Sequence, residues 1–114
     1  MSVYYVYIIK CEDESLYTGI TTDVARRMSE HLTQKAPGAK YTQAHKPVEL
    51  VAAWRAPDRS IASKGEYHLK RLERNDKDRM VFYPSRISAL FDGAEALEAC
   101  TEEELAQFWQ EAID

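Results

Sequence analysis

Hydrophobic positions near the start of the chain follow a pattern typical of β-strands. The run VYYVYIIK (3–10) is rich in β-branched and aromatic residues and indicates a strand that is buried on both faces. The polar segment CEDES (11–15) has a length that suits a hairpin. Its return strand is SLYTG (15–19), which Gly19 closes, because a residue without Cβ suits a turn. A third strand is predicted at VELVAAWRA (48–56).

Periodic apolar positions predict three helices in the first 83 residues. The first shows an apolar residue at every fourth position from Val24, and Thr22 or Asp23 can cap its first turn. The second follows Ser60 as its cap, and the third ends before Pro84. The three predicted helices cover residues 24–34, 61–75 and 77–83.

The remaining segments have a different character. Residues 35–47 combine Pro, Gly and polar residues without a period, and we expect a surface loop there. Thr101 and Glu104 form a capping box, and the apolar residues that follow recur on one face of a last helix. We expect that face to dock on the rest of the protein rather than on a partner. The predicted organisation is a domain over residues 1–83 with an acidic helical extension, 84–114, packed on it.

Length, cysteine content and hydropathy narrow the class of protein. A chain of 114 residues suits one folded domain. Its two cysteines, Cys11 and Cys100, show neither disulfide-framework nor metal-ligand spacing, which favours a reducing compartment. No apolar run reaches the roughly 18 residues of a membrane helix, and the start MSVYY lacks the features of a signal peptide. We therefore expect a cytoplasmic protein without a membrane partner.

Charge is distributed unevenly along the chain. The net charge is −4, yet residues 1–83 contain 14 Lys and Arg against 11 Asp and Glu. Residues 84–114 contain one Arg against eight acidic residues. Because phosphate binding depends on local charge, the mildly basic first part permits a nucleic-acid partner despite the acidic total.

Candidate reactive side chains lie on the first hairpin and on the two helices after it. Tyr17 can lie beside Tyr7 if the hairpin forms, and Arg27 and His31 are one helical turn apart at the edge of the apolar stripe. Glu66 adds a carboxylate from the second helix. This set suits phosphodiester hydrolysis. A carboxylate oxygen binds a hard cation, a guanidinium binds the charged phosphate, and a phenolate or imidazole takes a proton from water.

These positions, in this order, resemble the GIY-YIG nuclease superfamily. The first family motif corresponds to VYI at 6–8 and the second to YTG at 17–19, followed by Arg27, His31 and Glu66 at family-like spacing. The stretch LYTGITTD with the following RR and H is similar to the small single-domain bacterial members. The resemblance implies an α+β fold, with a small antiparallel three-stranded sheet flanked by helices, to which this chain adds a C-terminal helical segment.

The resemblance also implies a role for each reactive side chain. Tyr7 resembles the tyrosine that activates the attacking water, and Tyr17 the tyrosine that lies beside it and shares or orients that role. Arg27 resembles the arginine that contacts the scissile phosphate, and His31 the histidine that assists proton transfer. Glu66 resembles the single carboxylate that binds one divalent metal ion, Mg²⁺ or Mn²⁺.

Further positions are predicted to shape the site or to contact nucleic acid. Gly19 matches the family glycine at the end of the second strand. The residues predicted to contact nucleic acid are basic or aromatic: Arg26, Lys35, Lys40, Tyr41 and Lys70. An alternative remains open for the residues in the loop 35–47, since a solvated loop fits the sequence about as well as a loop that contacts phosphate. Glu66 and Lys70 are also consistent with a surface ion pair of about 0.3–0.5 kcal/mol.

Two functions follow from these observations. The first is metal-dependent endonuclease-type hydrolysis of nucleic-acid phosphodiester bonds, with structured DNA favoured as substrate and DNA repair or recombination as the setting. The second is a non-catalytic module that binds nucleic acid on the same scaffold. A protein partner or a homodimer is compatible with both.

Overall fold

A four-stranded antiparallel sheet forms the centre of the protein, which a computed structural model describes over residues 3–33 and 40–114. The strands, in the spatial order β2-β1-β3-β4, are β1 Tyr4–Cys11, β2 Leu16–Thr21, β3 Pro47–Ala56 and β4 Glu98–Ala99. The first three confirm the predicted strands to within two residues at each end. The fourth was not predicted, because a strand of two residues is too short to show a hydrophobic period.

Five α-helices and two 3₁₀ turns surround the sheet in the described part of the chain. They are α1 Val24–Thr33, α2 Lys40–Ala44, α3 Arg59–Lys70, α4 Arg74–Phe82, the 3₁₀ turns Pro84–Ala89 and Ala94–Ala96, and α5 Glu102–Ile113. The side chain of Asp23 accepts a hydrogen bond from the Arg26 backbone N–H at 3.1 Å, which caps α1. The predicted capping box of Thr101 and Glu104 begins α5. Over the described residues, no helix combines the length and apolar character that crossing a membrane requires.

Helix α3 differs from its prediction at both ends. Asp58, not Ser60, is the N-cap, because its carboxylate accepts a hydrogen bond from the Ile61 backbone N–H at 2.9 Å. The prediction of a single helix over 61–75 is wrong, since α3 ends at Lys70 and a separate helix, α4, starts at Arg74. Asp58 and Ser60 both carry a side-chain oxygen that can cap a helix, so residue type alone does not show which of them does.

Two further segments correct the sequence-based expectations. Helix α4 starts three residues before the predicted 77–83, because Glu73 adopts an extended backbone (φ −68°, ψ 160°) and begins a new helix there. The surface loop predicted over 35–47 contains helix α2. Residues 34–39 lie outside the described part of the chain.

Both faces of β1 are buried, as predicted. Val6 and Ile8 face a core that includes Trp54 of β3 and the apolar sides of α3 and α4. Tyr7 and Ile9 face a second core, which α1 and α5 cover. Because neighbouring residues of a strand point to opposite faces, β1 contributes to both cores along its length.

The C-terminal extension packs into both cores. Ile87 and Leu97 are buried in the first core, and Cys100 is buried in the second. Strand β4 pairs with β3, and the Arg55 guanidinium of β3 forms an ion pair with the Glu104 carboxylate of α5. The extension therefore supplies both a strand and core side chains to the fold.

Candidate active site

The β1–β2 hairpin brings Tyr7 and Tyr17 together on one face of the sheet, with their ring centroids 6.3 Å apart. Tyr7 pairs with Gly19 in the register of the hairpin, and its side chain covers that glycine. A Cβ atom at position 19 would lie 2.4 Å from the Tyr7 hydroxyl oxygen and 2.6 Å from its Cζ atom. The prediction that Gly19 closes the strand at a turn is wrong, since β2 continues to Thr21. Gly19 is instead the residue type that leaves room for the Tyr7 side chain.

Helix α1 buries a polar residue within its apolar face. Its buried residues are Val24, Met28 and His31, whereas Leu32, which the predicted stripe included, is half-buried. Spacings of four and then three residues follow the helical period of about 3.6 residues. His31 is 0% exposed rather than at the edge of a cleft, and Arg27 lies one turn before it.

A chain of hydrogen bonds runs through the buried Tyr7 hydroxyl. The Arg27 Nε–H donates to the hydroxyl oxygen at 3.4 Å, and that oxygen lies 2.8 Å from His31 Nε2. His31 Nδ1 lies 3.0 Å from the Thr42 Oγ1 atom on α2. On the other side, an Arg27 terminal nitrogen forms an ion pair with Glu30 at 3.0 Å. The side chains of Arg27, Tyr7, His31 and Thr42 therefore form one continuous hydrogen-bonded line.

Burial determines the protonation states of Tyr7 and His31. It raises the pKa of the Tyr7 phenol well above its ordinary value, although the hydrogen bond from Arg27 opposes the change. Burial, and secondly the positive charge of Arg27, lowers the pKa of His31 to about 4. At pH 7 the pair is consequently a neutral phenol beside a neutral imidazole.

Aromatic rings extend from this buried line toward the surface. The Tyr17 ring centroid lies 5.3 Å from that of His31 and 5.2 Å from that of Tyr41. Tyr41 in turn stacks on His45, with a centroid separation of 4.2 Å. The His45 Nδ1 atom lies 2.5 Å from a carboxylate oxygen of Asp13 in the β1–β2 turn. These contacts tie α2 to the hairpin.

Glu66 presents a carboxylate beside the two tyrosines. Its side chain is 26% exposed and lies 3.4 Å from the Lys70 ammonium, which in turn lies 5.8 Å from the Tyr17 ring centroid. Its charge is also among the causes that raise the pKa of Tyr7. No cluster of three or more His, Cys, Asp or Glu side chains forms among the described residues. A single accessible carboxylate still fits Mg²⁺, which keeps several waters and takes further oxygen ligands from a phosphate.

The residues predicted to contact nucleic acid occupy different surroundings. Lys70 and Tyr41 both contact Tyr17, at the edge of the site. Arg26 is exposed on α1. Lys40 begins α2, and Lys35 lies outside the described residues.

Sequence reasoning missed two polar residues of the site. Thr42 is 0% exposed and contacts His31, and Glu30 holds Arg27. Thr42 falls in a segment without hydrophobic period, so no local pattern marks it. Glu30 lies three positions after Arg27 on α1, and that ion-pair spacing is the signal that was available.

Comparison with known proteins finds a matching family model, similar relatives and a similar solved structure. The GIY-YIG catalytic domain profile matches residues 3–79. A UPF0213 protein of Halalkalibacterium halodurans is 47% identical over 78 residues, which cover 68% of this chain and 81% of that protein. The UPF0213 protein YhbQ of Salmonella typhimurium is 42% identical over 90 residues, covering 79% and 88%. The solution NMR structure of a UPF0213 protein from Bacillus halodurans is 46% identical, covers 71% of this chain and 84% of its own, and aligns with a TM-score of 0.47.

Proposed function

Because this chain belongs to the GIY-YIG catalytic domain family, we propose that it is a metal-dependent endonuclease that hydrolyses nucleic-acid phosphodiester bonds. The observation that supports the proposal is the convergence on the Tyr7 hydroxyl. Arg27 and His31 bond to it, the Tyr17 ring lies beside it, and the charge of Glu66 acts on it. A phenol, an imidazole, a guanidinium and a carboxylate in one place are the groups that phosphodiester hydrolysis needs.

Arg27 is the proposed phosphate-binding residue. Its side chain is 17% exposed, and its planar guanidinium offers forked N–H donors that match phosphate oxygens. The charge that accumulates on the phosphate in the transition state would be stabilised by these N–H donors once Arg27 has turned to the phosphate. Glu66 would hold Mg²⁺ or Mn²⁺, and such an ion, when bound, supplies Lewis-acid stabilisation of the same phosphate oxygens.

Tyr7 and His31 are the proposed path for the proton. As water attacks phosphorus, its proton passes to the Tyr7 oxygen while the phenol proton passes to His31 Nε2, 2.8 Å away. The leaving oxygen takes a proton from solvent. The lowered pKa of His31, about 4, makes the imidazole a weaker base but keeps it neutral at pH 7, so that Nε2 has a free lone pair for this proton. The same low pKa returns the proton readily after the reaction.

Access to Tyr7 is part of the proposal. The residue is 1% exposed, so the attacking water reaches its hydroxyl only when Arg27 turns from Tyr7 toward the bound phosphate. This burial also favours the second candidate, a module that binds nucleic acid without cutting it. The favoured substrate remains DNA in repair or recombination, recognised by its structure rather than by its base sequence. The sequence shows no zinc-finger spacing or other base-reading motif.

The deciding experiment is a cleavage assay on labelled single-stranded, duplex and branched DNA and on matching RNA, with Mg²⁺, with Mn²⁺ and with chelator. We expect cutting with metal only. Glu66→Gln should lower the rate by at least about a hundredfold, as the loss of one charge-stabilising group does in other hydrolases. Circular dichroism would establish that the variant is folded.

Glu73→Gln is the matched control, because Glu73 is exposed and its side chain makes no cap hydrogen bond. Loss of cutting in Glu66→Gln but not in Glu73→Gln supports the enzyme. Cutting that survives in both variants means a contaminant or a misplaced site. Salt-sensitive binding without cutting on any substrate selects the binding module.

A further inference from the structure

We propose that Thr42 is a positioning residue that holds His31 in one ring tautomer by accepting its Nδ1–H, so that the unprotonated Nε2 atom faces Tyr7. The catalytic consequence of this inference rests on the proposed function; the tautomer itself does not. Nothing in the sequence pattern marks Thr42, which is distinguished only by its place in the hydrogen-bonded line.

The geometry provides the contact. Thr42 and His31 are both 0% exposed, so water does not compete for the hydrogen bond between them. The Thr42 Oγ1 atom lies 3.0 Å from His31 Nδ1, and the opposite ring nitrogen lies 2.8 Å from the Tyr7 hydroxyl oxygen. Both ring nitrogens are thus engaged, and the proton on one determines the role of the other.

Donor and acceptor capacity then assigns the proton. A guanidinium only donates, so the Tyr7 oxygen accepts from Arg27 Nε–H and has its own hydrogen to give to His31 Nε2. The neutral imidazole therefore has its hydrogen on Nδ1 and donates it to Thr42 Oγ1. The opposite tautomer would aim two N–H donors at one phenol oxygen and turn the phenol hydrogen away from the ring.

The surroundings of Thr42 hold its oxygen in place. The neighbouring Tyr41 ring lies between Tyr17 and His45, and His45 bonds to Asp13 of the hairpin turn. The backbone N–H of Glu12 also donates to the Lys46 carbonyl at 2.8 Å, just after α2. The short helix that presents Thr42 is therefore anchored to the same hairpin that presents Tyr7.

Two substitutions separate the hydroxyl from the shape of the side chain. Thr42→Val keeps the branched shape but removes the acceptor, which leaves a buried Nδ1–H without its partner. Thr42→Ser keeps the acceptor and loses only a methyl group. If Thr42 acts through the tautomer, the serine variant should behave like the parent and the valine variant should not.

The test is a long-range ¹H–¹⁵N NMR spectrum of the histidine rings in the full chain at pH 7, without substrate. The chain has three histidines, so His31 is assigned by its loss in His31→Gln, and His45 and His68 serve as internal references. We expect His31 to be the Nδ1–H tautomer in the parent and in Thr42→Ser. In Thr42→Val it should shift toward the Nε2–H form.

Cleavage kinetics provide the second readout. We expect Thr42→Val to lower kcat by about 10- to 100-fold with KM unchanged, a part of the 10²–10⁴ that positioned acid–base groups contribute, and Thr42→Ser to restore it. An Nε2–H tautomer in the parent, which needs no variant to detect, overturns the inference. The inference is also overturned if the tautomer is the same in Thr42→Val as in the parent, or if the tautomer changes and kcat does not. An inactive parent with the expected tautomer overturns the proposed function alone.

Discussion

At the scale of single residues, the contact between Gly19 and Tyr7 is the tightest constraint in the site. A methyl group at position 19 would lie 2.4 Å from the Tyr7 hydroxyl oxygen, a distance that real Cβ atoms do not show. Gly19→Ala must therefore displace the tyrosine ring from Arg27 and His31. We expect it to cost about 1–3 kcal/mol of stability through overpacking and to abolish cleavage, measured by urea unfolding and by the nuclease assay.

Gly65→Ala is a control for the stability part of this prediction. Its added methyl would lie 3.2 Å from a Val6 methyl and 3.3 Å from a Leu97 methyl, so these neighbours need to move by only a few tenths of an ångström. The helix also gains about 1 kcal/mol in propensity from the change. Gly65→Ala should therefore unfold at a higher urea concentration than Gly19→Ala. The reverse order would contradict the steric argument.

The buried His31 makes stability depend on pH. The unfolded histidine takes up a proton near pH 6.5 and the folded one only near pH 4. Acid consequently favours the unfolded chain, and the contribution of His31, full above pH 6.5, is lost as the pH falls to 4. The full loss is on the order of 3 kcal/mol, and urea unfolding at several pH values would measure it.

His68→Gln is the matched variant, because His68 is half-buried against Phe91 on the other side of the fold. It should keep the slope of stability between pH 6.5 and pH 5, whereas His31→Gln should flatten it. An unchanged slope in His31→Gln would show that another group titrates in this window. The stabilisation from Asp13, whose pKa is lowered to about 2, is fully present in this window and is lost only at more acidic pH.

At the scale of elements, local signals predicted what local forces decide. Strands β1 to β3 are rich in β-branched and aromatic residues, and Thr101 and Glu104 form the capping box at the start of α5. Strand β4 and helix α2 were missed, because a strand of two residues and a helix of five gain their stability from contacts distant in sequence. Thr42 was missed for the same reason, because it contacts His31, which lies eleven positions away in the sequence.

Helix α1 shows how periodicity alone misjudges a polar residue. The sequence fits an apolar stripe through Leu32, and His31 is the kind of residue expected at the edge of such a stripe. The structure buries His31 instead, because Tyr7 and Thr42 satisfy both of its ring nitrogens. Which reactive residues to consider could be predicted from the sequence, but their burial and protonation could not.

At the scale of the whole molecule, the fold depends on residues beyond the predicted domain boundary at Tyr83. A chain that ends at Tyr83 loses Ile87 and Leu97 from the first core. It also loses the Pro84 carbonyl that accepts the Trp54 indole N–H at 2.8 Å. Each large core side chain is worth about 2–5 kcal/mol, against a total stability of about 5–15 kcal/mol. We expect this truncation to abolish cooperative thermal unfolding, followed by near-ultraviolet circular dichroism.

Removing only Ile113 and Asp114 is the control, because Ile113 is 58% exposed and both lie at the end of α5. That shorter deletion should leave the melting temperature within a few degrees of the parent. If the chain ending at Tyr83 instead melts cooperatively at the parent temperature, residues 1–83 are an independent folding unit and the extension is an accessory.

The shared cores also bear on how the protein is made. The ribosome delivers the chain from its N-terminus at about 5–20 residues per second, and all proposed catalytic residues emerge within the first 66 positions. Neither core is complete until Ile87, Leu97 and Cys100 have followed. We therefore expect the hairpin and α1 to stay partly unpacked on the ribosome until residues that take no part in the proposed chemistry have emerged. The proposed site would then assemble only after the C-terminal extension has been made.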